Sequence, residues 1–393
     1  MKNITHKNKW MVIIPGILVI GAILLELLAQ NSPGFTIFYV DRIFPIISLP
    51  MTFVSGLIPF SLGEVLLYLL VILVLILIVL GLTLIVFKLR KHSSSLAYFY
   101  KKYLLLLWML IGIYSMIMVL NCFILYQYPA MGGSRKATDE RTHKLIILRD
   151  YVVERANELA PLLDRDSNGN IVGYDDGTLS AKAIEALKLV QSNNNDPIRI
   201  DSFDRLSGYY PKYKYFINPA FFSQQHIMGY YFPFSMEANI NGIMFKSNVP
   251  HTVCHELSHL KGYIREDEAN FIAYLACMES DDIYFEYSAL LSVLGYLDRD
   301  FFKAINEDKD IYLEHPMISD QVIYDDQFLS DEAWKWVDAH SLIDTETVHK
   351  LSNKFTETVL TTNGVRDGIK SYSRVVSLLL DYYSVEDIIS LHN

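Results

Sequence analysis

The sequence predicts a mainly helical, α+β chain in two parts: three N-terminal transmembrane helices, then a mostly helical domain with a small β-sheet. Three observations carry this. Three runs of about twenty residues or more are apolar and nearly uncharged. Charge is split along the chain. Residues 1–126 hold 9 Lys/Arg and 3 Asp/Glu, a net +6, which leaves 25 and 41, a net −16, for residues 127–393. Past residue 140, apolar residues recur at helical spacing on both sides of one segment rich in Tyr, Phe, Gly and Pro. With 51% hydrophobic and 20% charged residues among 393, the chain is not a purely soluble enzyme, a disordered chain or a fibrous repeat. The acidic second part repels phosphate, so no nucleic-acid partner is expected. Three cysteines do not make a disulfide framework.

Residues 1–126 read as the membrane anchor. The first span is 10–29, with Glu26 near one end. The second, 65–87, carries no charge, and neither does the third, 103–126. Each is long enough to cross ~30 Å of hydrocarbon. Leu27-Leu28-Ala29 is not a small-x-small cleavage site, so a retained anchor is expected rather than a signal peptide. Residues 43–60 are apolar but interrupted by Pro45, Pro50 and Pro59, and read as an interfacial or re-entrant segment. Positive charge sets the orientation. Lys2, Lys7 and Lys9 precede the first span. Lys88, Arg90, Lys91, Lys101 and Lys102 lie between the second and third, whereas residues 30–64 carry only Arg42. The N-terminus is therefore expected in the cytoplasm and residues 127–393 outside it.

Residues 127–140 read as a linker and 141–393 as one domain. Leu145, Leu148, Val152, Ala156 and Leu159 recur every three or four residues, which predicts a helix over 142–163. A second helix is expected over 179–191. Residues 209–247, with their aromatic residues and Gly, Pro and Asn punctuation, suit short strands and turns. Beyond Pro250 the chain reads as mainly helical.

Chemistry concentrates at His251-Thr-Val-Cys-His255-Glu256-Leu257-Ser258-His259. On a helix, residues four apart share a face, so His255 and His259 can grip one Zn²⁺. Glu256 is turned about 100° from His255 and can meet a water instead of the metal. This is the H-E-x-x-H zinc hydrolase pattern. Pro250 suits a first helical turn, Ser247 or Asn248 a cap, and Gly262 a stop. A catalytic zinc needs a third protein ligand and an open position. Glu266 is favoured for it, ahead of Glu268 and Asp267. Asn270 lies four residues after Glu266 and could orient a ligand histidine, whereas Glu268 has Ile272 at that position.

His255-Glu256-x-x-His259 followed by Glu266-x-x-Ala269-Asn270 resembles the gluzincin metallopeptidases. The Glu-Asp-Glu-Ala-Asn-Phe-Ile-Ala wording also resembles ImmA/IrrE-like peptidases. The run from Asn248 to Cys277 after the apolar spans is similar to an uncharacterised bacterial family of membrane-anchored, zincin-like proteins, a domain of unknown function. The resemblance implies a zincin-like fold with His255, His259 and Glu266 as zinc ligands, Glu256 as the catalytic base and Asn270 behind the ligands. It departs from many gluzincins in having Asn270 rather than Asp. The expected function is hydrolysis of peptide bonds in extracytoplasmic proteins or peptides. The alternative is a non-catalytic scaffold that binds an envelope partner, and the intact Glu256 favours the enzyme. The sequence does not set an oligomeric state.

Lesser signals remain. Residues 164–175, with Asp164, Asp166, Asn168, Gly169, Ile171 and Asp175, follow the twelve-residue calcium-loop spacing, so Ca²⁺ is a further candidate ligand. Position 12 there is Asp rather than Glu, and the same residues make a good plain turn. His251 is expected behind the metal or at the surface. Cys122, Cys254 and Cys277 are expected as buried small residues. Tyr274, Tyr287, Tyr372 and His226 are candidate oxyanion donors. Residues 229–243 could supply an edge strand beside the motif helix, where an extended peptide would pair.

Overall fold

The computed structural model describes residues 6–90, 95–132, 138–192, 203–365 and 374–391. Lys2, Lys91, linker residues 133–137 and Tyr372 lie outside these. The chain is mainly helical with a small sheet, and it divides into two compact units.

The first unit is residues 1–128 together with 232–237. Its helices are α1 (His6–Asn31), α2 (Pro33–Phe38), α3 (Phe44–Gly56), α4 (Leu62–Leu89), α5 (Leu96–Met118) and α6 (Ile124–Tyr126). π-Helical turns at Tyr39–Ile43 and Val119–Phe123 join α2 to α3 and α5 to α6. Among the described residues, four stretches are long and apolar enough to cross a membrane: Lys9–Asn31, Pro33–Gly56, Leu62–Leu89 and Leu96–Tyr126. The sequence predicts three, and the added one absorbs most of the 43–60 segment. Its prolines do not break it as expected. Pro45 sits in the first turn of α3, where a missing N–H costs nothing, Pro50 removes one bond, and Pro59 falls beyond the helix end. These N-terminal apolar helices point to membrane anchoring.

Within this unit α1 packs along α5. A Cβ on Gly112 would lie 2.8 Å from Pro15 Cα, so only glycine permits this approach. The first N–H groups of α4 are all satisfied. Ser61 Oγ accepts from Glu64 N at 3.2 Å, and the Glu237 carboxylate accepts from Leu62 N at 3.2 Å and Gly63 N at 2.6 Å.

The second unit is residues 129–231 and 238–393. Its leading helices are α7 (Asp139–Leu159), α8 (Asp176–Ser192), α9 (Pro219–Ser223), α10 (Val249–His259), α11 (Glu266–Glu279) and α12 (Ile283–Ala304); shorter helices follow. Thr138 caps α7 by accepting from Arg141 N, and Asp175 caps α8 by accepting from Gly177 N and Thr178 N. The predicted α7 stripe, Leu145 to Leu159, is buried. Helices α10, α11 and α12 pack against one another, α8 covers α10 and α11, and α7 covers α12. Val253 and Leu257 of α10, Phe271 of α11 and Phe285 of α12 are fully buried there. At roughly 1.5–3 kcal/mol for each such side chain, this is the contact that holds the site helices. Arg149 is buried with them, and Asp298 accepts from its Nε at 3.0 Å and its Nη2 at 2.8 Å.

The 209–247 segment forms the expected short strands, β1 (Lys214–Tyr215), β2 (Gly229–Phe232) and β3 (Glu237–Ile240), in the order β1-β3-β2. β1 runs parallel to β3, with Lys214 opposite Asn239 and Tyr215 opposite Ile240. β2 is therefore a sheet edge, and it begins next to α10.

Candidate metal centre

Helix α10 begins as the sequence suggests, with Pro250 in its first turn and Asn248 at the N-cap position. No side chain supplies the capping bond there: Ser247 Oγ donates to the Asp325 carbonyl and Asn248 Nδ2 to the Gln327 carbonyl. Ser288 of α12 does part of that work, accepting from His251 N at 3.1 Å. Gly262, at φ +87°, supplies the left-handed turn that ends the segment. Two cations fasten the turn. Lys261 Nζ donates to the Ser207 and Tyr209 carbonyls at 2.6 and 2.9 Å. The Arg205 guanidinium lies 4.1 Å from the Tyr263 ring centroid. Nothing in the sequence spacing announced these two anchors. They hold the six residues that return the chain from His259 to Glu266.

The turn brings three donors together. His255 Nε2 lies 3.0 Å from His259 Nε2 and 3.1 Å from Glu266 Oε2, and the third side of the triangle, His259 Nε2 to Glu266 Oε2, is 3.7 Å. Ligands about 2.05 Å from a tetrahedral zinc stand about 3.3 Å apart, so this triangle has the size of a zinc face. His259 Nδ1 faces the Tyr263 carbonyl at 2.7 Å. A carbonyl only accepts, so Nδ1 carries a proton and Nε2 is the atom left for a metal. His255, Glu256 and His259 likewise offer ligand atoms that lie within 4.8 Å of one another. Glu256 Oε2 is buried with no hydrogen-bond partner, as a carboxylate reserved for a proton or water would be. Two imidazoles, one carboxylate and a second carboxylate held beside them fit a zinc site that keeps a position open.

Burial sets the electrostatics. It pushes the Glu256 carboxyl up to about 8, against the pull of His259. Burial also disfavours a charged His259, but the Glu266 carboxylate overrides it and raises the ring to about 9. Burial would raise Glu266 too, yet its bonds to His255 and His259 hold it well below the carboxylate range. The His255 ring is lowered by burial, with Glu266 opposing. Without a metal, the His259–Glu266 pair therefore holds a proton where a cation would sit.

The other sequence candidates are distributed as follows. Glu268 turns away from the histidines: it accepts from Met131 N at 2.9 Å and lies 3.8 Å from Arg265 Nε. Asp267 pairs with Arg374 Nε at 3.2 Å. Of the three competing carboxylates, only Glu266 reaches the histidine pair. The Asn270 side chain neighbours His255 and favours its charged form, while its backbone carbonyl faces His251 Nε2 at 3.3 Å. His251 is a buried helix residue, pushed down to about 3 by that burial.

Of the oxyanion candidates, Tyr287 is committed elsewhere, donating to Asp325 Oδ2 at 2.7 Å, and Tyr274 is fully buried among other tyrosines. The His226 ring packs at a tilt against those of His349, Trp334 and Phe328. In the 164–175 loop, Asp166 accepts from Asn168 N and Asn170 N, and Asp175 caps α8. Both carboxylates thus accept from backbone N–H groups. Cys254 and Cys277 are free thiols, buried 3.8 Å apart between α10 and α11, and Cys122 is buried in the first unit and forms no disulfide.

One relationship was only partly foreseen. Gly229, the first residue of β2, abuts Glu256: a Cβ there would lie 2.4 Å from Glu256 Oε1. The sequence suggests a strand in this region but not that its glycine makes room for the carboxylate.

No curated protein and no solved structure matches the chain. A family model does match, over residues 39–380, a stretch that takes in all three donor residues, the Glu256 carboxylate and the apolar helices from the Tyr39 turn onward. The chain belongs to that family, described as protein of unknown function (DUF3810).

Proposed function

We propose that the protein is a membrane-anchored zinc metallopeptidase that hydrolyses peptide bonds in extracytoplasmic proteins or peptides. One observation carries the reading: the 3.0, 3.1 and 3.7 Å triangle of His255, His259 and Glu266, with an unpartnered Glu256 carboxylate beside it. His255, His259 and Glu266 would hold the zinc. When bound, zinc supplies Lewis acidity that activates water and polarises the scissile carbonyl. Glu256 takes the proton from the attacking water on its carboxylate and passes it to the leaving amine. Its raised affinity for a proton, about 8, suits a group that must both accept and release one near neutrality. Tyr263 orients His259 through Nδ1, and Asn270 attends His255. β2 is an edge strand of the sheet and begins beside Glu256, the place where an extended peptide would pair.

Orientation follows from chain connectivity and charge. Residues 129 onward follow the Leu96–Tyr126 helix, one crossing away from the basic 88–102 connection. If that connection is cytoplasmic, the second unit is extracytoplasmic whether or not Pro33–Gly56 crosses. The Pro33–Gly56 helix decides the N-terminus instead. If it re-enters, Lys7 and Lys91 share the cytoplasmic face; if it crosses, they are on opposite faces. The positive-inside rule favours re-entry.

The test uses the full chain in nanodiscs, with Glu256→Gln as control. Zinc near one per chain in both forms, with cleavage of a mixed peptide library lost in the control, supports the proposal. Zinc without cleavage in either form favours the scaffold alternative. Absence of zinc sinks the metal assignment.

A further inference from the structure

The second unit holds two of the chain's three cysteines, Cys254 and Cys277, and the proposed hydrolysis uses neither. Cys254 lies in α10, one residue before His255, and Cys277 lies in the last turn of α11. Both are fully buried, at 0% exposure. Cys277 Sγ donates to Cys254 Sγ at 3.8 Å, and Cys254 Sγ donates in turn to the Ala183 carbonyl of α8 at 4.0 Å. The two sulfurs are thus in contact across the packed faces of α10 and α11, with α8 over them. The third cysteine, Cys122, sits in the apolar Leu96–Tyr126 stretch. Two cysteines in one unit allow only one pairing within it. Residues 255–276 lie between the two, and they include His255, Glu256, His259, Glu266 and Asn270. A bond between the sulfurs would close a loop around every residue of the candidate metal centre.

Cytoplasmic reductants keep thiols reduced, whereas adjacent thiols outside the cytoplasm meet oxidants. We propose that Cys254 and Cys277 are a disulfide-forming pair, and that the bond staples α10 to α11, the two helices that carry the candidate ligands. This rests on the extracytoplasmic placement of the second unit, not on its being a peptidase. The oxidant is a disulfide of that space, on a protein or a small molecule. One cysteine thiolate attacks it, forms a mixed disulfide and releases one thiolate; the second cysteine then displaces the other. The two cysteines lose two protons and two electrons, and the oxidant becomes two thiols. The sulfurs close from 3.8 Å to about 2.05 Å. Because both are fully buried, the oxidant reaches them before α8, α10 and α11 have closed, and the finished bond is shielded from reductants afterwards.

The experiment takes membranes from cells making the full-length chain, quenched in acid to stop thiol exchange. The protein is denatured and treated with N-ethylmaleimide, with or without prior reduction, and its peptides are weighed. The expected result is that Cys254 and Cys277 take up the reagent only after reduction, while Cys122 takes it up in both cases. A non-reduced digest should contain one linked pair of peptides, lighter than the two thiol peptides together by the mass of two hydrogens. Uptake at Cys254 and Cys277 without reduction overturns the proposal. Labelling of Asp331→Cys from outside intact cells then separates the causes: if it labels, the pair stays reduced outside the cytoplasm; if it does not, the orientation reading has failed as well. Neither result bears on zinc or on peptide cleavage. A second measurement reads the staple itself. The Tm of the full chain in nanodiscs should fall by about 5 °C or more once the bond is reduced. Cys254→Ala should melt alike with and without reductant. A wild-type Tm unchanged by confirmed reduction overturns the stapling role.

Discussion

The carboxylate of Glu256 occupies the space that a side chain at position 229 would need: a Cβ on Gly229 would stand 2.4 Å from Oε1 and 2.7 Å from Cγ. The strand comes against Glu256 at its one residue without a side chain, while its Tyr231 ring lies 5.8 Å from that of His259. Gly229→Ala should therefore displace Glu256 and leave the ligands alone. Peptide turnover is expected to fall by roughly 10²-fold, the low end of what a general base contributes, at full zinc occupancy. Equal turnover in the variant would show that Glu256 does not need this position.

Only Glu266, of the three carboxylates after the motif, reaches the histidine pair. Glu266→Gln should weaken zinc binding by about 100-fold or more in competition with a chelator, since the loss of an outer partner alone costs 10–100-fold. Glu268→Gln should leave zinc affinity within about threefold of wild type, because Glu268 serves Met131 N and Arg265 instead. The reverse order would transfer the ligand role to Glu268.

On the proposed reading, zinc would displace the proton held by His259 and Glu266. With His259 raised to about 9, zinc affinity should climb about tenfold per pH unit below that value and level off above it. Calorimetry in buffers of different ionisation enthalpy should count about one proton released. The metal-free protein should show the opposite trend in stability. A folded-state value raised above the ordinary 6.5 gives stability that is full below 6.5 and is lost as pH rises through 9. Glu256, raised from 4.5 to about 8, acts in the same direction from 4.5 upward. Thermal melts of the chelated protein should therefore fall between pH 6.5 and 9, and added zinc should reverse the slope. Melts independent of pH would show that these groups are not the buried pair described.

The N-terminal tail and the 88–102 connection should lie on one side of the membrane. A membrane-impermeant maleimide applied outside intact cells should spare Lys7→Cys and Lys91→Cys and label Asp331→Cys. The three native cysteines are buried, so background labelling should be low. Labelling of Lys7→Cys from outside, with Lys91→Cys protected, would mean that Pro33–Gly56 crosses.

The motif helix was legible because its information is local. His255 and His259 share a face through helix geometry alone, and Pro250 and Gly262 bracket the segment. The choice of Glu266 was legible for the same reason, from its four-residue relation to Asn270. The N-cap position at Asn248 was legible too, but its capping bond was not, because the Ser247 and Asn248 side chains found carbonyls 78 and 79 residues away, at Asp325 and Gln327. The prolines of the 43–60 segment read as breaks, yet α3 runs through Pro50, because a proline's effect depends on its place in a helix, which the sequence does not display.

By itself the sequence determined what depends on spacing along one element: the apolar runs, the charge split, the α7 stripe and the pairing of two imidazoles around an offset carboxylate. The tertiary structure alone decided what depends on residues distant in sequence. It placed Gly229 beside Glu256 and Glu237 on the start of α4, gave Ser288 the first turn of α10, and anchored the His259–Glu266 turn with Lys261 and Arg205. The physical reason is the same in each case. Helix periodicity fixes neighbours three or four residues apart, whereas a buried donor or acceptor takes its partner from whatever element the packing of apolar faces brings within about 3 Å.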